Sequence, residues 1–208
     1  ATTYREVAAA GVRSIVLTET RAQYDLKQAD QAQEAGRLFA DLGLRTPACH
    51  GLDAPAHLLN IPDEAQRAAM VRDHVNLMTN VAALGARTYV LHLGPRPAAA
   101  QAPAAWDAVR RALDQLAPRA AELGLLLALE NGLPGYQATD EELLALVADY
   151  AHPAVGICYD SGHAHVTADA AAVLRAFSPH VVTVHLHDND GTADQHLLPG
   201  QGSIAWPE

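Results

Sequence analysis

The chain has 208 residues, half of them hydrophobic, with a formal net charge of −10, which suits one domain over residues 1–208 with a sizeable core. No apolar run is long enough to span a bilayer and no signal-peptide pattern opens the chain. The acidic balance disfavours non-specific nucleic-acid binding, which runs on Lys and Arg, and two cysteines give no disulfide framework, so a cytoplasmic location is expected.

The chain opens in helix-like sequence, TTYREVAAAG. Four segments then share a phrase: AAAG ending at Gly11, ADLG at Gly43, AALG at Gly85 and AELG at Gly124. Each closes an Ala/Leu-rich stretch of helical character, and a glycine just past a helix end takes the left-handed conformation cheaply. After each comes a short apolar run: RSIVLTE, LRTPACH, RTYVLHLG and LLLALEN. Two more, VGICYDSGH and VVTVHLHD, follow without the glycine phrase. These six runs read as strands buried on both faces. Helical patterns fill residues 63–84, 104–123 and 139–150. Pro62-Asp63-Glu64 suits the first helix start, and Thr139 with Glu142 makes a capping box for the last.

Strand and helix alternating every roughly 30 to 40 residues means parallel βα units. No glycine-rich phosphate loop follows an early strand, which weakens a dinucleotide-binding sheet. A (β/α)8 TIM barrel needs eight strands and about 250 residues. The expectation is therefore an α/β barrel trimmed at both ends, with six βα units and its first and last strands missing. The alternative is a genuine six-strand α/β domain.

Side chains alternate along a strand. In VVTVHLH, Val182, Val184 and Leu186 share one face, expected to meet helices. Thr183, His185 and His187 share the other, expected to line the interior. Four other strands also run out in a polar residue on the inward face: His50, His92, Glu130 and Asp160. A single buried His is more often a hydrogen-bonded core residue than a ligand, but five strand ends in register are harder to obtain by chance. In a barrel they converge at the C-terminal mouth, where active sites of this fold sit. Carboxylates and imidazoles packed there unpaired would be costly, and a divalent cation removes that cost. The His/carboxylate mixture suits Zn²⁺, Mn²⁺ or Co²⁺ better than Ca²⁺. Loop candidates are His163, three residues after Asp160, and Asp194 with His196. His57, His74, His152, His165 and His180 are expected to be structural or surface residues, and Cys158 a small core residue.

At this point the sequence resembles the xylose isomerase-like barrels. That superfamily includes sugar and sugar-phosphate isomerases and epimerases, and the endonuclease IV family. The matching phrases are LALEN at 127–131, GICYDSGH at 156–163, VHLHDND at 184–190 and DQHLLPGQGSIAW at 194–206, in order along nearly the whole chain. In the isomerase and epimerase branch the resemblance implies one divalent ion (Mn, Co, Mg or Zn) on Glu130, Asp160, His185 and a further Glu beyond residue 208. It implies a keto sugar or sugar phosphate as partner, rearranged by enediolate proton transfer. Glu130 is then the first candidate base, and His163 the donor to the substrate oxygen where charge develops. The sugar epimerases resembled carry Arg six residues after the strand-end His. Here that position is Gly191, so the sugar is left open.

The endonuclease IV branch implies three zinc ions on His50, His92, Glu130, Asp160, His163, His185, Asp194 and His196, and phosphodiester cleavage at abasic DNA. The acidic charge, the short loop between Asp188 and Asp194 and the ending GQGSIAW favour the isomerase branch, as does the lack of a wedge-and-arginine set for entering DNA. A non-catalytic sugar-binding barrel is the third reading. Homo-oligomerisation is left open.

Overall fold

The computed structural model describes residues 3–18, 23–133, 135 and 137–206. The residues of TTYREVAAAG and RSIVLTE that fall at Thr2 and Glu19 lie outside these. The order is α1 (Tyr4–Ala9), β1 (Ser14–Thr18), α2 (Ala29–Leu42), β2 (Arg45–His50), a 3-10 turn (Pro55–His57), α3 (Glu64–Ala83), β3 (Thr88–Leu91), α4 (Ala102–Glu122), β4 (Leu126–Glu130), α5 (Asp140–Tyr150), β5 (Val155–Asp160), α6 (Ser161–Thr167), α7 (Ala170–Phe177) and β6 (Val181–His185). All six predicted strands are present. They pair in sequence order, every neighbour parallel. The result is an open arc of a TIM barrel, with β1 and β6 at its two edges.

Local signals act as expected. Asp63 caps α3 by accepting from the Gln66 N–H, and Thr139 and Glu142 form the reciprocal capping box of α5. Each satisfies donors that the first helical turn leaves unpaired. The short helices α6 and α7 are additions to the predicted set.

Strand alternation divides the core into two layers. Tyr89, Leu91, Leu127, Leu129, Ile157 and Tyr159 point outward and are buried with Phe39, Leu77, Leu113, Leu116 and Phe177 of the helices. Each such side chain contributes about 1.5–3 kcal/mol by leaving water. The inward layer is small and separate: Val90, Ala128 and Cys158, with Val182 against them. Small residues there leave the barrel axis free above them, and the polar strand ends occupy that space.

β6 departs from simple alternation. Its register slips between Ile157 and Cys158, so that Ile157 pairs Val181 while Cys158 pairs Thr183. Val182 is the extra residue, and it tucks inward beside Gly156, where a Cβ on Gly156 would collide with it. Val182 therefore packs on the interior cluster and not on helices as expected. Val184 and Leu186 are not buried under helices as expected: they are 44% and 53% exposed and line the rim of the cavity into which the polar strand ends project.

Candidate metal and active site

The strand ends meet around one buried carboxylate. Glu130, the last residue of β4, is 3% exposed. His92, just past β3, brings Nε2 to 2.9 Å of its Oε2, and His185, the last residue of β6, brings Nδ1 to 2.9 Å of its Oε1. His50, at the end of β2, stands 3.7 Å from Oε2 through Nε2, and His163 stands 3.8 Å from Oε1. Burial alone would raise the Glu130 pKa. The two hydrogen bonds and the charges of His185 and His92 overcome that and hold it well below the usual carboxylate range.

The phrase DSGH builds the next part, one residue at a time. Asp160 ends β5 and caps α6: its Oδ1 accepts from the His163 N–H at 2.8 Å. That Asp-x-x-His spacing is the step from a helix cap to its third residue, and it sets His163 beside Asp160. Ser161 accepts from the His187 N–H and donates to the His187 carbonyl, fixing the backbone beyond β6. Gly162 leaves room for the His187 ring, which a Cβ would overlap. His187 Nε2 then lies 3.0 Å from Asp160 Oδ1 and 3.2 Å from Oδ2. Asn131, after β4, locks the end of β5 by accepting from the Asp160 N–H and donating to its carbonyl.

Two rings have fixed tautomers. His163 Nδ1–H donates to the Asn131 carbonyl at 2.8 Å, and His50 Nδ1–H to the Gly51 carbonyl at 3.2 Å. A carbonyl only accepts, so in each neutral ring the Nε2 lone pair faces the cluster, as a metal-ligating imidazole requires. Burial and the neighbouring His92 lower the His50 pKa, which favours that neutral form. For His185 burial acts in the same direction but is outweighed by Glu130 and Asp160, so its pKa is raised; the hydrogen bond to Asp160 raises that of His187.

The loop after β6 supplies the outer part. Asp194 Oδ2 lies 3.1 Å from His196 Nε2 and 3.5 Å from His163 Nε2, and Asp194 Oδ1 lies 3.6 Å from His187 Nε2. His196 stacks on His187 with ring centres 4.0 Å apart. Four groups thus present ligand atoms at cation-binding separations: His50/His92/Glu130, Glu130/Cys158/His185, Asp160/His163/His187 and His187/Asp194/His196. Every residue the sequence singled out for the site lines one cavity of 740 Å³, which Asp53 and His187 also line. A second hollow, 560 Å³ between α2 and α3, has no carboxylate or imidazole in its wall.

Sequence reasoning places His187 on the inward face but gives it no ligand role; its contacts with Asp160 and Asp194 put it inside the cluster. Strand alternation is the available signal. Asp188 and Asp190 look equally ligand-like in the sequence and are not part of it. Asp188 is buried behind the loop, and Asp190 binds the Thr192 and Gln195 side chains at the surface. Cys158 touches the cluster from below, and burial, then the charges of Glu130 and Asp160, push its thiol pKa up, so it stays a thiol. His57 and His74 belong to a separate cluster behind the sheet, and His165 hydrogen-bonds Ser203.

The donor set fits a divalent cation. Among the described residues Glu130 is paired only with imidazoles and Asp160 with imidazoles and the His163 N–H, and Asp194 Oδ1 is buried without a hydrogen-bond partner. Mixed nitrogen and carboxylate oxygen donors match Zn²⁺ or Mn²⁺ chemistry.

Comparisons with known proteins agree with the fold. The protein y4fM of Sinorhizobium fredii is 27% identical over 194 residues, 82% of this chain and 62% of its own length. The chain thus spans less than two thirds of that relative. A D-tagatose 3-epimerase-like protein superposes with a TM-score of 0.79 at 23% identity, covering 92% of this chain and 73% of the other. D-psicose 3-epimerase from Clostridium cellulolyticum H10, solved with D-tagatose, gives 0.80 at 16% identity, covering 99% and 73%. The family model described as a xylose isomerase-like TIM barrel matches residues 4–208, and the chain belongs to that family.

Proposed function

We propose that this chain carries the active site of a divalent-metal-dependent isomerase or epimerase acting on a keto sugar or sugar phosphate. One observation carries the reading. Glu130, Asp160 and His185, three ends of adjacent strands, turn their donor groups toward one another at the floor of an open cavity. The resemblance assigns the ion to these same residues. A bound cation would supply positive charge to two neighbouring oxygens of the sugar and so acidify the carbon between them.

The chain's own residues do the rest. Glu130, held anionic by two imidazoles, accepts or relays a proton without needing to be deprotonated first. His163 donates Nδ1–H to the Asn131 carbonyl, so it serves as donor to the substrate oxygen only through a protonated Nε2, and as a ligand only through an unprotonated one. His50 and His92 keep the far side of Glu130 filled and shield it from bulk water. The sugars of the structural neighbours, D-tagatose and D-psicose, support a ketose as substrate class, and Gly191 leaves the particular sugar open.

The second reading is a trinuclear zinc phosphodiesterase. It is favoured by the convergence of His50, His92, Glu130, Asp160, His163, His185, Asp194 and His196 on one cavity.

The test is metal content of the protein purified without chelators, together with solvent-deuterium exchange into keto sugars. About one manganese, cobalt or magnesium ion per chain with sugar-dependent exchange is the expected result. About three zinc ions with no exchange would overturn it and direct the assay to abasic-site DNA.

A further inference from the structure

Asp188 is fully buried, yet it is not turned toward the cavity. Its carboxylate collects donors from across the loop that follows β6. Oδ2 accepts from the Gly200 N–H and from Trp206 Nε1–H, each at 2.9 Å, and Oδ1 accepts from the Ile204 N–H at 3.1 Å. Its backbone pairs with Leu197 in both directions, at 2.8 and 2.9 Å, as an isolated antiparallel bridge. Gly202 passes so close that a Cβ would overlap Asp188 Oδ1. Asn189 adds a turn, its carbonyl accepting from the Ser203 N–H at 2.8 Å and its side chain donating to the Gly162 carbonyl. The spacing D-N-…-PGQGSIAW is thus one anion with a ring of donors drawn round it.

What this ring holds is the segment bearing Asp194 and His196. That segment has no helix or strand of its own, and His196 sits in left-handed backbone at φ 52°, which a non-glycine residue adopts at a cost. Leu197, bridged to Asp188, is its immediate neighbour. We infer that Asp188 is a positioning residue: by gathering the loop's donors it holds Asp194 and His196 against His163 and His187, completing the outer half of the metal cluster without touching it. The inference rests on the proposed metal site for its consequence, but its structural core, the clamp, stands apart from that reading.

Charge suits the task. A carboxylate offers about four lone-pair sites and binds N–H donors more strongly than a neutral amide does. Asn at this position would present an NH₂ to at least one N–H it now receives. Asp188→Asn therefore keeps the shape and breaks the clamp.

The experiment combines hydrogen exchange with Co²⁺ titration, using the metal alone as probe. In Asp188→Asn the Gly200 and Ile204 amides are expected to exchange at least about tenfold faster, with strand amides unchanged. Co²⁺ affinity is expected to fall about tenfold, the size typical of losing a supporting partner. In an Asp194→Asn/His196→Ala background the same substitution is expected to cost no further affinity, because Asp188 acts only through those two residues. A general loss of structure would lower affinity equally in both backgrounds, and that result overturns the inference. So does unchanged loop exchange. Should Asp188→Asn not fold, Trp206→Phe removes one donor and leaves the charge; its loop amides are expected to exchange faster, and unchanged exchange overturns the clamp. If the unsubstituted protein binds no Co²⁺, the metal-site reading fails, while the exchange result still decides the clamp.

Discussion

The two halves of the mouth are built on different supports. The inner half, Glu130 with His50, His92 and His185, stands on the ends of four parallel strands whose backbones are fixed by the sheet ladder. The outer half, Asp194 and His196, stands on a loop gathered by the buried Asp188 carboxylate, with Asn189 and Asp190 adding bonds to it. His187 and Asp160 join them. A strand-borne ligand is positioned by the whole core, since moving it means breaking ladder bonds and repacking buried apolar side chains. A loop-borne ligand can be lost by a local event. The inner half should therefore set whether the site works at all, and the outer half how tightly and how selectively it binds.

The severest test of that division is Glu130→Gln. Gln has nearly the same shape, so the core beneath it is kept, but it cannot serve as an anionic ligand or as a base. Turnover of any keto-sugar substrate is expected to fall on the order of 10³-fold or more, with circular dichroism unchanged. Retained turnover would remove Glu130 from the mechanism and the inner half from its leading role.

The difference in support also explains what could be read from the sequence. Alternation in RTYVLHLG, LLLALEN and VGICYDSGH reveals the inward faces of β3, β4 and β5, because both faces of those strands are buried and the register has no freedom. The capping pairs at Asp63 and at Thr139/Glu142 are legible for a similar reason: each involves neighbours three residues apart. The bulge at Val182 is not legible, since it depends on Gly156 on the adjacent strand leaving a space. The loop after β6 misleads in a specific way. Asp188, Asp190 and Asp194 are the same residue type within seven positions, yet one clamps backbone, one binds surface side chains and one faces the cavity. Residue type states what a carboxylate can accept; only the path of residues 197–206 decides what it does accept.

Acid should separate the two supports. His74 on α3 lies behind the inner half, with Nε2–H donating to the His57 carbonyl and Nδ1 accepting from the Tyr89 hydroxyl, each at 2.8 Å. It thereby ties the turn after β2 to β3. Burial lowers its pKa from 6.5 to about 4. Between those values the unfolded chain binds a proton that the folded chain does not, so stability is full above pH about 6.5 and is lost as pH falls toward 4. The loss is about 3 kcal/mol for this group. Asp188, in contrast, has its pKa held well below the usual range: burial alone would raise it, but the hydrogen bonds from Trp206 and the loop amides outweigh that. It keeps its charge throughout this window. Denaturant midpoints for the native chain are expected to drop more steeply from pH 6.5 to 4 than those for His74→Gln. Parallel curves would show that His74 does not support the inner half in this way.

The narrowest comparison sets His185, in the inner half, against His187, two residues on and at the join with the outer half. His185 reaches Glu130 at 2.9 Å and lies 3.8 Å from Asp160, within the strand-borne set. His187 bridges Asp160 and Asp194 and carries the stacked ring of His196. His185→Ala removes a donor that no neighbour can replace, because the β6 backbone keeps its place when the ring goes. His187→Ala removes a donor from a region where Asp194 and His163 remain within 3.5 Å of each other and can close up. Metal affinity is expected to fall about tenfold more in His185→Ala than in His187→Ala, read by competition with a chromophoric chelator at fixed pH. Equal losses would mean that the outer half holds the ion with the same strength as the inner. His187 would then have to be counted with the strand-borne ligands, and the loop would have to be placed with the firmness of the sheet.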